Sequence, residues 1–211
     1  MKRRKVGNML GLAVLSAVLE APMHPYEMAA VLRARGKDQD MPIKWGTLYT
    51  VVQNLEKHGF LEVAESGRQG GRPERTVYRI TPAGREELTD WAGELIAVPH
   101  PEQPRFKAAL SVMGVLGPDE TARLLRQRVS ALERRLDEER AVLAGHHERL
   151  HSLFLVEADY DLAMRQADLE WARGLLAQLT AGTLPGQDLW RRFHETGEIP
   201  PELFPDQTAG G

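Results

Sequence analysis

The chain contains no cysteine, which excludes disulfide bridges and thiolate chemistry. It has no run of 18 or more apolar residues, so the sequence predicts no membrane-spanning helix. The basic start Lys2-Arg3-Arg4-Lys5 has the sign of a secretory leader. The apolar stretch behind it, however, is broken by Glu20, Pro22 and His24, and no small-residue cleavage site follows. These absences predict a cytoplasmic protein. Internal repeats are missing too. What is present is ordinary globular composition, 42% hydrophobic and 27% charged over 211 residues, enough for one or two small domains.

A net charge of −3 is small, but its distribution is uneven. Residues 1–85 carry 14 Lys+Arg against 8 Asp+Glu, a balance of +6, and the remainder carries 13 against 22, a balance of −9. A basic first part joined to an acidic remainder suits a nucleic-acid module attached to a partner-binding module.

Dense apolar residues from Met9 to Leu19 predict a buried helix. Pro25 then starts a second helix, Tyr26 to Arg35, which ends at Gly36. A third covers Lys44 to His58, with Gly59 placed for a left-handed cap. Phe60–Ala64 and Thr76–Ile80 alternate with period two and read as strands, separated by a Gly- and Arg-rich loop. Thr81-Pro82 opens the next helix as N-cap and first residue. Three helices, strand, basic loop, strand and helix is the order of a winged helix-turn-helix. The fold class expected is therefore mainly α, a winged helix with a two-stranded wing followed by a helical dimerisation region.

Pro99, Pro101 and Pro104 mark a boundary, giving a winged-helix domain over 1–96 and a linker over 97–104. A helical region over 105–182 follows. It comprises a helix from Phe106 to Leu116, a long helix from Pro118 to Leu155 and another from Tyr160 to Ala181. Leu125, Val129, Leu132, Leu136, Leu143 and Leu150 keep a near-heptad spacing on the long helix, interrupted by Glu139 and the His146-His147 pair. Met164, Ala167, Trp171, Leu175 and Leu179 follow on the next helix. Residues 183–211 are Pro- and Gly-punctuated and read as an extended tail that docks in part.

His24-Pro25-Tyr26-Glu27, Gly46-Thr47-Leu48-Tyr49, Leu55-Glu56-Lys57-His58-Gly59-Phe60-Leu61, Gly71-Arg72-Pro73 and Tyr78-Arg79-Ile80-Thr81-Pro82-Ala83-Gly84-Arg85 occur in one order. In these motifs residues 9–95 resemble PadR regulators, and Tyr160-Asp161-Leu162-Ala163-Met164 resembles the longer C-terminal region of one branch. The resemblance implies double-stranded DNA as partner. It also implies a homodimer whose C-terminal helices embrace, and a repressor released by a small-molecule effector. No cofactor is expected. Leu125, Val129, Leu132, Leu136, Leu143, Leu150, Met164, Trp171 and Leu175 become the dimerisation residues. Trp91 falls where family members with a ligand pocket use an aromatic, against the plainer reading of dimer-core packing.

Helix three can also be read from its periodicity. At 100° per residue Leu48, Val51, Val52 and Leu55 share the core face, opposite Gly46, Thr50, Gln53 and Lys57 and flanked by Thr47, Tyr49 and Asn54. Gln53 and Asn54 suit bidentate contacts to adenine and Thr50 a thymine methyl; Lys57 and Tyr49 suit phosphates. Gly46 leaves room for a backbone to approach. Tyr26 and Lys44 complete the candidate DNA face on the helices. Arg68, Arg72 and Arg75 would work from the wing, and Lys2 to Lys5 would either add phosphate contacts or form a solvated terminus.

Two readings compete. His147-Glu148-Arg149-Leu150-His151 spells H-E-x-x-H, the zinc-peptidase helix, with Glu170 as a conceivable third ligand. The segment lies on a charged heptad-like helix with Leu150 on its seam, which favours a solvated face. The other rival is a winged helix kept as a dimeric interaction adapter without DNA binding, which the basic wing disfavours.

Overall fold

The computed structural model describes residues 4–37, 43–67, 75–100 and 104–203. They divide into two compact units, Met1–Glu102 and Gln103–Gly211. In the first, α1 (Met9–Val18), α2 (Pro25–Ala34) and α3 (Trp45–Lys57) precede β1 (Leu61–Gly67), β2 (Arg75–Ile80) and α4 (Pro82–Ala97). The winged helix-turn-helix expected from the element order is the observed fold.

Three helix starts of the first unit, those of α1, α2 and α4, are capped by side chains. The Asn8 side chain accepts from the Leu10 amide at 3.0 Å and caps α1. At α2, the His24 ring accepts from the backbone of the first turn while Glu27 reaches back to the His24 amide at 2.8 Å. This is a capping box with histidine in the serine position, and Pro25 sits buried at the first helical residue. Gly59 takes φ +74° after α3, the left-handed turn that its residue type suggests. The Thr81 hydroxyl joins two elements. It accepts from the Gly84 amide at 3.0 Å, capping α4, and donates to the Gly59 carbonyl at 2.6 Å.

One core gathers Leu10, Val14 and Leu15 of α1, Met28 and Leu32 of α2, and Leu48, Val52 and Leu55 of α3, closed by Leu61 and Ile80 from the sheet. The strands pair antiparallel from Leu61↔Ile80 out to Gly67↔Arg75, with a bulge between Val63 and Glu65. They extend beyond the alternating residues, because backbone pairing rather than side-chain burial carries the outer ladder. Met23 adds a bridge to Tyr78, exchanging backbone bonds of 2.9 and 3.0 Å and tying the α1–α2 turn to β2.

The second unit comprises α5 (Arg105–Ser111), α6 (Pro118–His147), α7 (Val156–Ala181) and α8 (Gln187–Thr196), with 3-10 turns at Met113–Val115, Ser152–Phe154 and Pro201–Leu203. α6 and α7 form an antiparallel hairpin, braced by Arg173–Glu133 at 2.6 Å and by the Arg128–Asp168 and Arg165–Glu139 pairs.

Three expectations are corrected here. The long helix ends at His147 rather than Leu155, and the chain reverses through Glu148–Ser152. The heptad seam is an intrachain one. Leu125 packs with Leu179 and Trp190, and Val129 and Leu136 pack with Leu169 and Ala172. Leu132 and Leu175 are partly buried against the same clusters. Leu143 is buried too, while Leu136 is 0% exposed. Within this chain Leu125, Val129, Leu136 and Leu143 are therefore covered, and Leu132 and Leu175 are covered in part. A hairpin and a dimeric coiled coil use the same apolar spacing, so periodicity alone does not separate them. Residues 183–203 dock as expected, but as a helix and a 3-10 turn rather than as an extended segment. α8 docks through Trp190, whose indole N–H donates to the Leu116 carbonyl at 2.8 Å, and through Gln187, which donates to the Leu179 carbonyl at 2.9 Å. Among the described residues no helix is long and apolar enough to cross a membrane.

Candidate nucleic-acid interface

α3 presents two faces of opposite character. Leu48, Val51, Val52 and Leu55 are buried, as the helical wheel requires. Lys44, Gly46, Thr47, Tyr49, Thr50, Gln53, Asn54 and Lys57 are all exposed, and so is Tyr26 on α2. The structure brings these candidates together on one surface of the first unit. Arg68 and Arg72 lie outside the described residues. Arg75 begins β2, paired with Gly67.

Within the His24–Glu27 motif the labour divides cleanly. His24, Pro25 and Glu27 are consumed by capping and the first helical turn, leaving Tyr26 free and 64% exposed. Its ring stacks on Trp45 at 5.2 Å with an interplanar angle of 12°, and Trp45 in turn meets Tyr49 at 6.4 Å. The Arg33 guanidinium lies 5.5 Å from the Trp45 ring centre. Trp45 is a member of this surface that the expected DNA face does not include. Its position one turn before Tyr49 is the signal that places two aromatics on one helix face.

Gly46 behaves differently from the other helix residues. A Cβ built there would meet nothing within 4 Å, and its φ is not in the left-handed region. Nothing among the described residues calls for glycine, a poor helix former. The Thr50 hydroxyl donates to the Gly46 carbonyl at 2.8 Å, which orients it along the exposed face. Glu56, the acidic residue of α3, is turned toward the wing. Burial, then the charge of Glu56 and a hydrogen bond to it, raises the Tyr78 phenol above its ordinary range, so Tyr78 stays a donor to that carboxylate.

The N-terminal basic residues separate. Arg4 does not face outward; it bonds Glu87 at 2.7 Å, Asp90 at 3.2 Å and Glu94 at 2.5 Å on α4. Burial opposes its charge, but the hydrogen bonds to Glu87 and Glu94 prevail and hold the guanidinium above its usual range. Lys2 and Arg3 lie outside the described residues. Lys5 is exposed and lines a groove of about 390 Å³ with Gly7, Gly46, Thr47, Thr50 and Asn54.

Trp91 is buried within the first unit. It is 4% exposed, lies under Arg4 at 5.3 Å and packs against α1 beside Gly11. The H-E-x-x-H segment loses its geometry because the helix ends inside it. His147 closes α6 and sits 3.4 Å from Asp159, whereas His151 has extended backbone and caps the following 3-10 turn. The two imidazoles are therefore not one helical turn apart. Glu170 is hydrogen-bonded to Gln166 at 2.9 Å. Among the described residues no three His, Asp or Glu side chains converge as metal ligands.

A winged helix whose third helix exposes a continuous polar and aromatic face defines the class of helix-turn-helix DNA-binding proteins. Residues 14–90 match the family model described as the transcriptional regulator PadR-like family. No curated protein matches the chain significantly. Solved structures of similar fold include Bacillus subtilis PadR in complex with operator DNA. That likeness has 18% identity and a TM-score of 0.64 over 82% of this chain and 99% of that one. The same protein in complex with p-coumaric acid gives 17% identity and 0.64 over the same shares. The Vibrio cholerae virulence activator AphA gives 20% identity and 0.59, over 82% of this chain and 98% of that one.

Proposed function

We propose that the chain is a cytoplasmic, homodimeric, sequence-specific DNA-binding regulator rather than an enzyme, reading the major groove with α3. Gly46 carries this reading. Among the described residues nothing packs against its bare backbone, yet it stands on the exposed face among Thr47, Tyr49 and Thr50, where a phosphate strand would approach closely. In a dimer two α3 helices would enter successive major grooves about 34 Å apart, on a pseudo-palindromic operator. The operator and p-coumaric acid complexes of Bacillus subtilis PadR support extending operator binding and response to a small molecule to this chain.

Gly46→Ala tests the carrying observation. The methyl group meets open space, so thermal stability is expected to hold or rise slightly. DNA affinity is expected to fall roughly tenfold, about 1.4 kcal/mol, because the methyl group would hold the phosphate strand away from the helix backbone. A gel shift on duplexes selected from a random pool measures it. Unchanged affinity, or no salt-sensitive binding by the wild type, defeats the reading.

The dimer surface belongs on α7 rather than on the α6 seam. Val156, Tyr160, Met164 and Trp171 are all exposed and fall within about 80° of the helical wheel. Leu150, Leu153 and Phe154 extend the apolar surface at the hairpin tip. Met164→Glu is expected to weaken self-association at least tenfold without loss of helicity. Sedimentation velocity over a concentration series reads this directly, and an unaltered dimer would move the interface elsewhere.

A further inference from the structure

Arg4 and Lys5 are adjacent cations with opposite fates. The Arg4 side chain is 5% exposed, enclosed by Glu87, Asp90 and Glu94 and lying over Trp91. Three carboxylates face this one guanidinium, so its charge is satisfied within the domain and is not offered to DNA. Lys5 is exposed and makes no ion pair among the described residues.

The segment between is anchored at both ends. On one side stands the Arg4 cluster. On the other, Val6 is buried, with its Cγ1 3.1 Å from the position of a Cβ on Gly11, and Asn8 caps α1. Lys5 is thus held by its neighbours rather than by contacts of its own. The arm forms one wall of the groove whose other wall is Gly46, Thr47, Thr50 and Asn54 of α3.

We infer that Lys5 contacts a DNA phosphate beside α3, and that Arg4 is the positioning residue that holds the arm there. The inference rests on the DNA-binding reading and adds to it a contact from outside the helix-turn-helix. It also gives α4 a route to the DNA face. The residues gripping Arg4 lie on the last helix before the second unit, so a displacement of α4 would carry the arm with it.

The test measures binding of the full-length protein to a random-sequence duplex of about 30 base pairs over a salt series, where each phosphate contact contributes ~0.9 to the log–log slope. Lys5→Ala is expected to lower the slope by ~0.9 per protomer, roughly a fivefold loss of affinity per protomer at moderate salt. Arg4→Met should reproduce that drop, and the double variant should add nothing to it. Arg4→Lys should restore part of it. An unchanged slope for Lys5→Ala overturns the inference, as do additive effects in the double variant or an Arg4→Met variant that loses thermal stability but keeps its slope. Lys5 is a surface residue, so its variant remains informative if Arg4→Met fails to fold. Failure of the wild type to bind the duplex would instead sink the DNA-binding reading itself.

Discussion

Gly84→Ala is expected to lower the stability of the first unit by about 3 kcal/mol or more, enough to unfold a marginal domain. A Cβ at that position would lie 2.1 Å from the Phe60 carbonyl oxygen, 3.0 Å from its carbon and 2.9 Å from Ile80 Cγ1. The first two are backbone atoms and cannot rotate aside. They also belong to a fixed junction, because Phe60 accepts from the Thr81 amide at 3.1 Å while Thr81 caps α4 through Gly84. Relief would require α4 to move off the start of the wing, breaking the cap and opening the core around Ile80. Gly93 is the internal comparison. It lies on the same helix, with nothing within 4 Å of its hypothetical Cβ, so Gly93→Ala is expected to stabilise by up to about 1 kcal/mol. Urea unfolding followed by circular dichroism separates the two, and a Gly84→Ala protein as stable as wild type would refute the packing argument.

Gly84 also shows which features of this fold are legible in local sequence. Thr81-Pro82 announces a helix start through local chemistry, and the start is observed there. The neighbouring glycine announces nothing, because its need arises from the Phe60 carbonyl, more than twenty residues away. The same division holds elsewhere. The buried face of α3 and its exposed opposite face follow from a 3.6-residue period, which needs no knowledge of the partner element. By contrast, the near-heptad of α6 fits two partners equally well, and only the reversal after His147 makes α7 the one that covers it. Arg4 and Trp91 look like surface chemistry and a ligand aromatic because their residue types suit those tasks. Three carboxylates on α4 place one cation inside and the aromatic beneath it. For Trp45, spacing within α3 gives its place beside Tyr49, but its stacking on Tyr26 depends on the angle between two helices and is not legible in either alone.

Replacing Gln53 and Asn54 together by alanine is expected to reduce discrimination between the selected operator and random DNA by roughly 100-fold, while leaving the salt dependence of binding unchanged. Both side chains are exposed about two turns beyond Gly46, Gln53 on the face opposite Leu48 and Leu55 and Asn54 on its flank. A carboxamide matched to adenine contributes about 1–3 kcal/mol of discrimination, and a twofold-symmetric site counts each residue twice. Neither group is charged, so no counterion release accompanies its removal. Lys44→Ala and Lys57→Ala should show the complementary behaviour. Their ammonium groups meet phosphates, so affinity for operator and random duplex should fall together, with the log–log salt slope lower by ~0.9 for each phosphate no longer neutralised. Competition binding with both duplexes at several salt concentrations resolves the two patterns. If the Gln53/Asn54 variant bound both DNAs more weakly by the same factor, α3 would be gripping the backbone only. Sequence choice would then have to come from DNA shape or from the wing.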